Sequence, residues 1–285
     1  MIRLAVTDLD NTLIPAGAPH ASAHAIAGVH AMLDAGLHFG PVTGRVPAAM
    51  RWMFDGDEAC GMTGAFVNGQ IVYADGKLIH EEPLDARGLA GVGDRIAGIE
   101  GCALAIYDLD DIAEGRDCGT YYMGASREEL ARHPETYGPD PLTIEALDRP
   151  SYLKANLRCT IPWARMVEVR DGLRAEFPLF DFVFPVENGC FIDILPRGWG
   201  KGEAVKVLAS HYGLALDEVA AFGDSENDIS MFEVVEHSVA VANASEATMA
   251  AARHRIGACA DDAVADALHA IAEAAATGGL PAFLR

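Results

Sequence analysis

The chain has 285 residues, 51% of them hydrophobic, enough for a full core and too apolar for a disordered chain. Its formal net charge of −21 makes a surface that repels nucleic-acid phosphates and anionic membranes, so neither is an expected partner. The cysteines (Cys60, Cys102, Cys118, Cys159, Cys190 and Cys259) are scattered and form no CxxC pair. That argues against disulfide staples and thiolate zinc sites, and for reduced thiols in a cytoplasm.

The opening MIRLAVTDLD is interrupted by Asp8 and Asp10 too early for a signal-peptide core. No apolar run approaches the roughly 20 residues of a membrane helix. Residues 2–7 read as a short buried strand. A helix is expected at about 22–35, where Ile26, Val29, Met32 and Leu33 recur at helical spacing before Gly36. A strand at 37–42 ends in Thr43-Gly44-Arg45, and a short helix at 46–54 follows. This alternation implies a parallel sheet with right-handed crossovers. Near residue 64 the pattern changes. Asn68-Gly69 and Asp75-Gly76, set between apolar runs, predict hairpins.

From 83 to 186 the pattern gives strands at 102–107, 118–122, 152–157 and 180–185, with helices at 86–98 and 163–176. It reads as an α+β insert with an antiparallel sheet and an exposed loop around 135–141. The α/β rhythm then returns. A strand at 190–195 leads to a helix at 201–212, a strand at 219–222 to a helix at 226–235, and a strand at 238–241 to a helix at 246–252. A last helix spans 262–275. The fold class is therefore α/β: a doubly wound parallel-sheet core built from the two chain ends and interrupted by a smaller domain. Such cores bind ligands at the carboxyl ends of their strands. Asp8–Thr12, Thr43–Arg45 and Gly223–Asp228 occupy those positions.

Asp8-Leu9-Asp10-Asn11-Thr12 places two carboxylates where a strand becomes a loop. Close carboxylates repel, and a divalent cation resolves that conflict, with oxygen ligands suiting Mg²⁺. The plain alternative is an ordinary turn. A calcium loop is excluded, because Leu13 stands where the sixth position needs glycine. Thr43-Gly44 can hold an oxyanion, although alone it reads as a turn and helix start. Lys201 opens a helix after Gly198-Trp199-Gly200, where an anion would offset its conflict with the helix dipole; alone it reads as a solvated surface lysine. This is not a Walker loop, since Leu195 and Gly202 occupy the positions of its first Gly and its Ser/Thr. Gly223-Asp224-Ser225-Glu226-Asn227-Asp228 follows an apolar strand and reads either as a capped helix start or as a metal-binding segment. His20 and His24, four apart, lack an evident third ligand and read as surface or capping residues.

Taken together and in this order, DxDxT, a strand-end Thr, a Lys and GDxxND resemble the haloacid dehalogenase superfamily of phosphotransferases. An insert between the second and third motifs resembles its Cof-type, subclass IIB branch, as do FVNGQIVY, FIDILPRGWGKGEAV and FGDSENDISMF. The resemblance spans the chain and implies roles. Asp8 would be the nucleophile. Asp10 would protonate the leaving oxygen and then activate water. Thr43, the Gly44 amide and Lys201 would hold phosphate. Asp224 would bind Mg²⁺ with the Asp8 carboxylate and the Asp10 carbonyl. Asn227 would contact phosphate or support the metal, and Asp228 would hold the site from behind. Asn11 stands where this branch often has Gly.

The resemblance implies a Rossmann-like core of 1–82 and 187–285 with an inserted cap at 83–186. The cap would choose the leaving group, with Tyr121, Tyr122, Lys154 and Arg158 as polar or aromatic candidates. The expected activity is Mg²⁺-dependent hydrolysis of a small phosphorylated metabolite, a sugar phosphate being the usual substrate of similar proteins. A sugar phosphomutase and a non-catalytic phospholigand-binding protein are the alternatives. The sequence is compatible with a homo-oligomer.

Overall fold

The computed structural model describes residues 1–109, 118–186 and 188–285. The chain divides into two compact units, Met1–Glu81 with Gly200–Arg285, and Glu82–Trp199.

The first unit is organised by a five-stranded, wholly parallel sheet. Its order is His254–Arg255, His237–Ala240, Val219–Gly223, Leu4–Thr7, His38–Pro41. Both chain ends build it, and the first strand lies at its interior beside Val219–Gly223. Every residue of these two strands is buried, as expected when both faces of a parallel sheet are covered. The helix Ala23–Asp34 starts where Ser22 Oγ accepts the Ala25 amide at 3.0 Å. It packs closely on the helix Ala263–Ala275 at Gly28, where a Cβ would lie 3.1 Å from the Ala265 carbonyl oxygen.

Past His38–Pro41, Val42 bridges to Ala65, leading into the antiparallel strands Gly64–Phe66, Ile71–Ala74 and Lys77–Glu81. Asp75 and Gly76 close the last hairpin with φ of 51° and 74°, the left-handed pair a two-residue turn needs. The Asn68-Gly69 turn signal is also realised, as a tight Val67–Gly69 turn with Asn68 at φ 54°. The expected helix at 46–54 is a Pro47–Ala49 turn followed by Met50–Met53, and that at 226–235 is a Glu226–Asp228 turn followed by Ile229–Val234.

The second unit holds a six-stranded sheet in the order Phe180–Val183, Phe191–Pro196, Ala155–Cys159, Cys102–Asp108, Gly119–Met123, Leu142–Thr143. All pairs are antiparallel except the last. Strand alternation divides the faces. Leu104 and Ile106 join Leu157, Ile192 and Ile194 beneath the helices Ala86–Ile96 and Trp163–Glu176, while Ala103, Ala105 and Tyr107 meet Tyr122, Leu130 and Tyr137.

Two expectations are corrected here. The strand expected at 190–195, placed by its sequence pattern in the core of 187–285, is Phe191–Pro196. It is hydrogen-bonded on both edges within the insert, with Ala155 opposite Ile194 and Phe182 opposite the same residue. The unit boundary therefore falls between Trp199 and Gly200, and on the other side between Glu81 and Glu82, not at 186/187 and 82/83. Glu187 itself lies outside the described residues. The expected loop at 135–141 begins instead in a helical turn, Pro134–Tyr137, with Thr136 and Tyr137 buried. Among the described residues no helix is long and apolar enough to cross a membrane.

Candidate active site

Each motif residue of the first unit sits just beyond a parallel strand or at a helix start. The Asp8 amide continues the ladder by donating to Phe222 O at 2.9 Å. The chain then winds tightly, with Leu9 O accepting the amides of Leu13 and Ile14 at 3.0 and 2.8 Å. Asn11 lies within this turn at φ 62°, a conformation that Gly adopts freely and Asn tolerates. That makes Asn a residue this position can hold without a glycine. Asn243 Nδ2 donates to Asn11 O at 2.8 Å and ties the loop down.

Lys201 is the first residue of the helix Lys201–His211 and is 1% exposed, not the solvated lysine its local sequence suggests. Gly202 makes this burial achievable. A Cβ there would lie 2.2 Å from Ser230 O, so only glycine lets the helix start approach the Ile229–Val234 segment. Lys201 Nζ donates to Asp8 Oδ1 at 2.7 Å and to Asp228 Oδ1 at 2.5 Å. The other oxygen of Asp228 accepts the amides of Asp224 and Ser225, both at 2.9 Å. Asp228 is thus committed on both oxygens and acts as a bracket. Gly223 gives it room, since a Cβ there would lie 2.6 Å from its carboxyl group. Asp224 accepts from Thr12 Oγ1 and Ser225 Oγ, each at 3.0 Å.

Carboxylate oxygens of Asp8, Asp224 and Asp228 all lie within 4.8 Å of one another, and all three residues are buried. One lysine against three acids leaves the cluster short of positive charge. Burial pushes the Asp8 carboxyl well above its ordinary value, with Asp228 and Asp224 adding to the effect against the pull of Lys201. Burial and then Asp228 push Asp224 up to about 6. Lys201 keeps its proton because its two acidic partners outweigh the cost of burying it.

The remaining sequence-derived residues are placed as follows. Thr43 is fully buried. Its amide donates to Ala65 O and its carbonyl accepts from Asn68 N, both at 2.9 Å, while Oγ1 accepts the Arg45 amide at 3.2 Å. Gly44 faces Asn68, whose Oδ1 would be 3.3 Å from a Cβ at Gly44. Asn227 Nδ2 donates to that Asn68 Oδ1 at 3.0 Å, and Asn227 Oδ1 is a buried acceptor without a hydrogen-bond partner. Asn68 therefore links the Thr43-Gly44 loop to the Asp224–Asp228 segment. The Asp10 carboxylate does not join the buried cluster. It is partly exposed and held by Arg45 through two hydrogen bonds, Nε–Oδ2 at 2.9 Å and Nη2–Oδ1 at 2.6 Å. His20 is hydrogen-bonded to its neighbour's carbonyl and His24 to Asp266, in line with surface roles.

Sequence reasoning gives no role to Arg45 or Thr12, and reads Ser225 only as a helix cap. The first directly follows Thr43-Gly44, and the other two lie inside the two acidic motifs, so adjacency is the available signal. Arg45→Ala should lower kcat/KM by about fivefold or less, because an exposed ion pair is worth at most about 1 kcal/mol. Steady-state kinetics checks this, and a loss beyond about 10²-fold would mean that Arg45 binds substrate directly.

In the second unit, Tyr122 donates to Tyr137 O at 3.0 Å. Arg158 donates to Thr136 O and Tyr107 Oη at 2.8 and 3.0 Å and lies over the Phe191 ring, so both side chains help to build that unit's interior. Lys154 Nζ lies 5.2 Å from the centre of the Tyr107 ring.

Residues 5–268 match the model of the haloacid dehalogenase-like hydrolase family. Among curated proteins, a 5-amino-6-(5-phospho-D-ribitylamino)uracil phosphatase of Bacillus subtilis is 51% identical over 19% of this chain and 18% of its own length. An HMP-PP phosphatase of Citrobacter koseri is 37% identical over 33% of this chain and 37% of its own. A chloroplastic endoribonuclease of Arabidopsis thaliana is 44% identical over 27% of this chain and only 13% of its own. The chain thus covers well under half of each of these relatives. Among solved structures, the phosphatase BT1666 of Bacteroides thetaiotaomicron superposes with a TM-score of 0.77 over 94% of both chains at 19% identity. The subclass IIB sugar phosphatase BT4131 does so with a TM-score of 0.74, over 93% of this chain and 97% of its own, at 17% identity. These two establish likeness of fold.

Proposed function

The chain belongs to the haloacid dehalogenase-like hydrolase family, and from that membership and the Asp8 cluster we propose that it is a Mg²⁺-dependent phosphatase of a small phosphorylated metabolite, a sugar phosphate in the first instance, acting through an aspartyl phosphate on Asp8. The observation that carries this reading is the buried set of Asp8, Asp224 and Asp228 around a single lysine. The names of two of the three partial relatives, both small-metabolite phosphatases, support the same class of substrate.

The residues suit a hard divalent cation. The donors are all oxygen, the cluster is short of positive charge, and Asn227, the residue before Asp228, carries an orphaned buried acceptor in its Oδ1. Asp8, Asp224 and the Asp10 carbonyl would hold the ion. When bound, Mg²⁺ would neutralise charge on the phosphate and on the acids.

The protein's own residues would do the rest. Asp8 attacks phosphorus, splitting a slow hydrolysis into two easier displacements. Lys201, fixed by Asp228, orients Asp8 and offsets phosphate charge. Thr43 Oγ1 and the Gly44 amide receive phosphate oxygens at the strand end. Asp10 gives a proton to the leaving oxygen and later takes one from the attacking water. Its hold by Arg45 keeps it at the mouth of the site and out of the buried cluster. We assign substrate choice to the Glu82–Trp199 unit.

Phosphate release across sugar phosphates, nucleotides and cofactor phosphates tests the proposal. Release from at least one of them, lost on chelation and restored by Mg²⁺, is expected. Absence of release from the whole panel would refute it.

Metal binding should also follow pH. Asp224 titrates higher in the folded chain, at about 6, than in an unfolded one. Its contribution to stability in metal-free buffer is therefore present at about pH 4 and lost as pH rises through about 6. Mg²⁺ competes with the proton, so its affinity should fall as pH drops through about 6. Thermal melts should show a larger Mg²⁺-induced rise in Tm at pH 8 than at pH 5. An equal rise at both values would contradict this.

A further inference from the structure

The inserted unit brings two thiols into direct opposition. Cys102 and Cys159 are cross-strand partners on adjacent strands of the six-stranded sheet, and their Sγ atoms are 3.4 Å apart. Thr160 N donates to Gly101 O at 2.7 Å, whereas Cys159 N turns to the other neighbour and donates to Cys190 O at 2.9 Å. Cys102 and Cys159 are therefore a non-hydrogen-bonded pair of the antiparallel ladder, where opposite Cα atoms lie only about 4.5 Å apart. That distance falls within the span a disulfide accepts, about 4.4–6.8 Å. Both side chains point into the same helix-covered core and are 1% exposed. Bringing the sulfurs to bonding distance asks for side-chain rotation and no change of register.

The pair borders a cavity on one side. Cys159 lines an open cavity of about 330 Å³ together with Thr160, Trp163, Met166 and Cys190. This volume holds several water-sized molecules, and a small hydroperoxide is of that size.

We propose that Cys102 and Cys159 form a redox modification site, a cross-strand dithiol that hydrogen peroxide converts to a disulfide. One sulfur attacks one oxygen of the peroxide and the O–O bond breaks, so that the sulfur becomes a sulfenic acid and the other oxygen leaves as water. The second sulfur then displaces the hydroxyl group as a second water. Two thiols lose two protons and two electrons, and the peroxide takes up both. The bond joins two central strands of the sheet and closes a long loop, so the oxidised protein should melt at a higher temperature than the reduced one.

The test exposes the folded, full-length protein to hydrogen peroxide, quenches with acid, then alkylates under denaturing conditions and maps peptides. The expected result is two fewer alkylated thiols, an intact mass lower by two hydrogens, and one cross-linked species joining the Cys102 and Cys159 peptides. Dithiothreitol should reverse all three changes, and the oxidised form should show a Tm higher by several degrees. Cys102→Ser and Cys159→Ser should each keep every remaining thiol alkylatable after the same treatment. The wild-type map decides the question even if a variant folds poorly. A full set of alkylated thiols, a Cys159–Cys190 cross-link, or sulfinic acid without a cross-link would each overturn the proposal.

Discussion

Lys201→Met should cost the fold about 3–5 kcal/mol and abolish turnover, the stability loss being that of a broken buried ion pair. The reason is local. The Lys201 ammonium is the only cation seen bonded to Asp8 or Asp228 among the described residues, and its side chain is fully buried. Methionine keeps the apolar stem and removes the charge, leaving Asp8, Asp224 and Asp228 to repel one another in a poorly solvated site. The folded-state pKa values of Asp8 and Asp224 would rise further above the unfolded ones. The penalty should therefore grow as pH rises from 5 to 8 and shrink as the acids take up protons. Denaturant unfolding at both pH values measures it. The double variant Lys201→Met/Asp228→Asn should regain part of the stability, since one of the stranded carboxylates is gone, but none of the activity. A single variant as stable as the parent at pH 8 would show that the cluster is not held as a charge-balanced unit.

Asp8→Asn should match this loss of activity but act in the opposite way on stability. Turnover should fall by at least about 10³-fold, as expected for losing a covalent nucleophile, because an amide cannot accept the phosphoryl group. Stability should not fall with it. Asp8 has a pKa raised by burial and by two neighbouring acids, so its ionised form at neutral pH weakens the metal-free fold. Removing that charge should leave Tm in metal-free buffer unchanged or higher. A large kinetic loss with an intact or raised Tm separates chemistry from unfolding. Retention of more than about a tenth of wild-type turnover would exclude a nucleophilic role.

Much of this site is legible in the amino-acid sequence because its parts sit at regular places in an α/β chain. Asp8, Thr43 and Asp224 each follow an apolar run that forms a buried parallel strand, and Lys201 opens a helix marked by its pattern. What local sequence does not carry is partnership. Phe191–Pro196 has the look of a core strand, but a strand's own residues do not say which sheet it joins. Its neighbours, Ala155–Cys159 and Phe180–Val183, are chosen by pairing across the fold. Arg45 directly follows the Thr43-Gly44 pair, yet its partner Asp10 is 35 residues away, and no local pattern links them. Lys201 resembles a surface residue because its burial depends on Gly202 meeting Ser230, a contact between two separate helical segments. Asn68 reads as a turn residue, which it is, but its bond to Asn227 spans 159 positions.

The most direct measurement of the central claim is a search for the phosphorylated enzyme itself. Rapid acid quench during turnover, followed by peptide mapping, should find one phosphoryl group on the peptide that carries Asp8, stripped by hydroxylamine as an acyl phosphate is. The same peptide should stay unmodified in Asp8→Asn. A stable phosphoryl group on another residue, or turnover at full rate with no modified peptide at any quench time, would contradict the account.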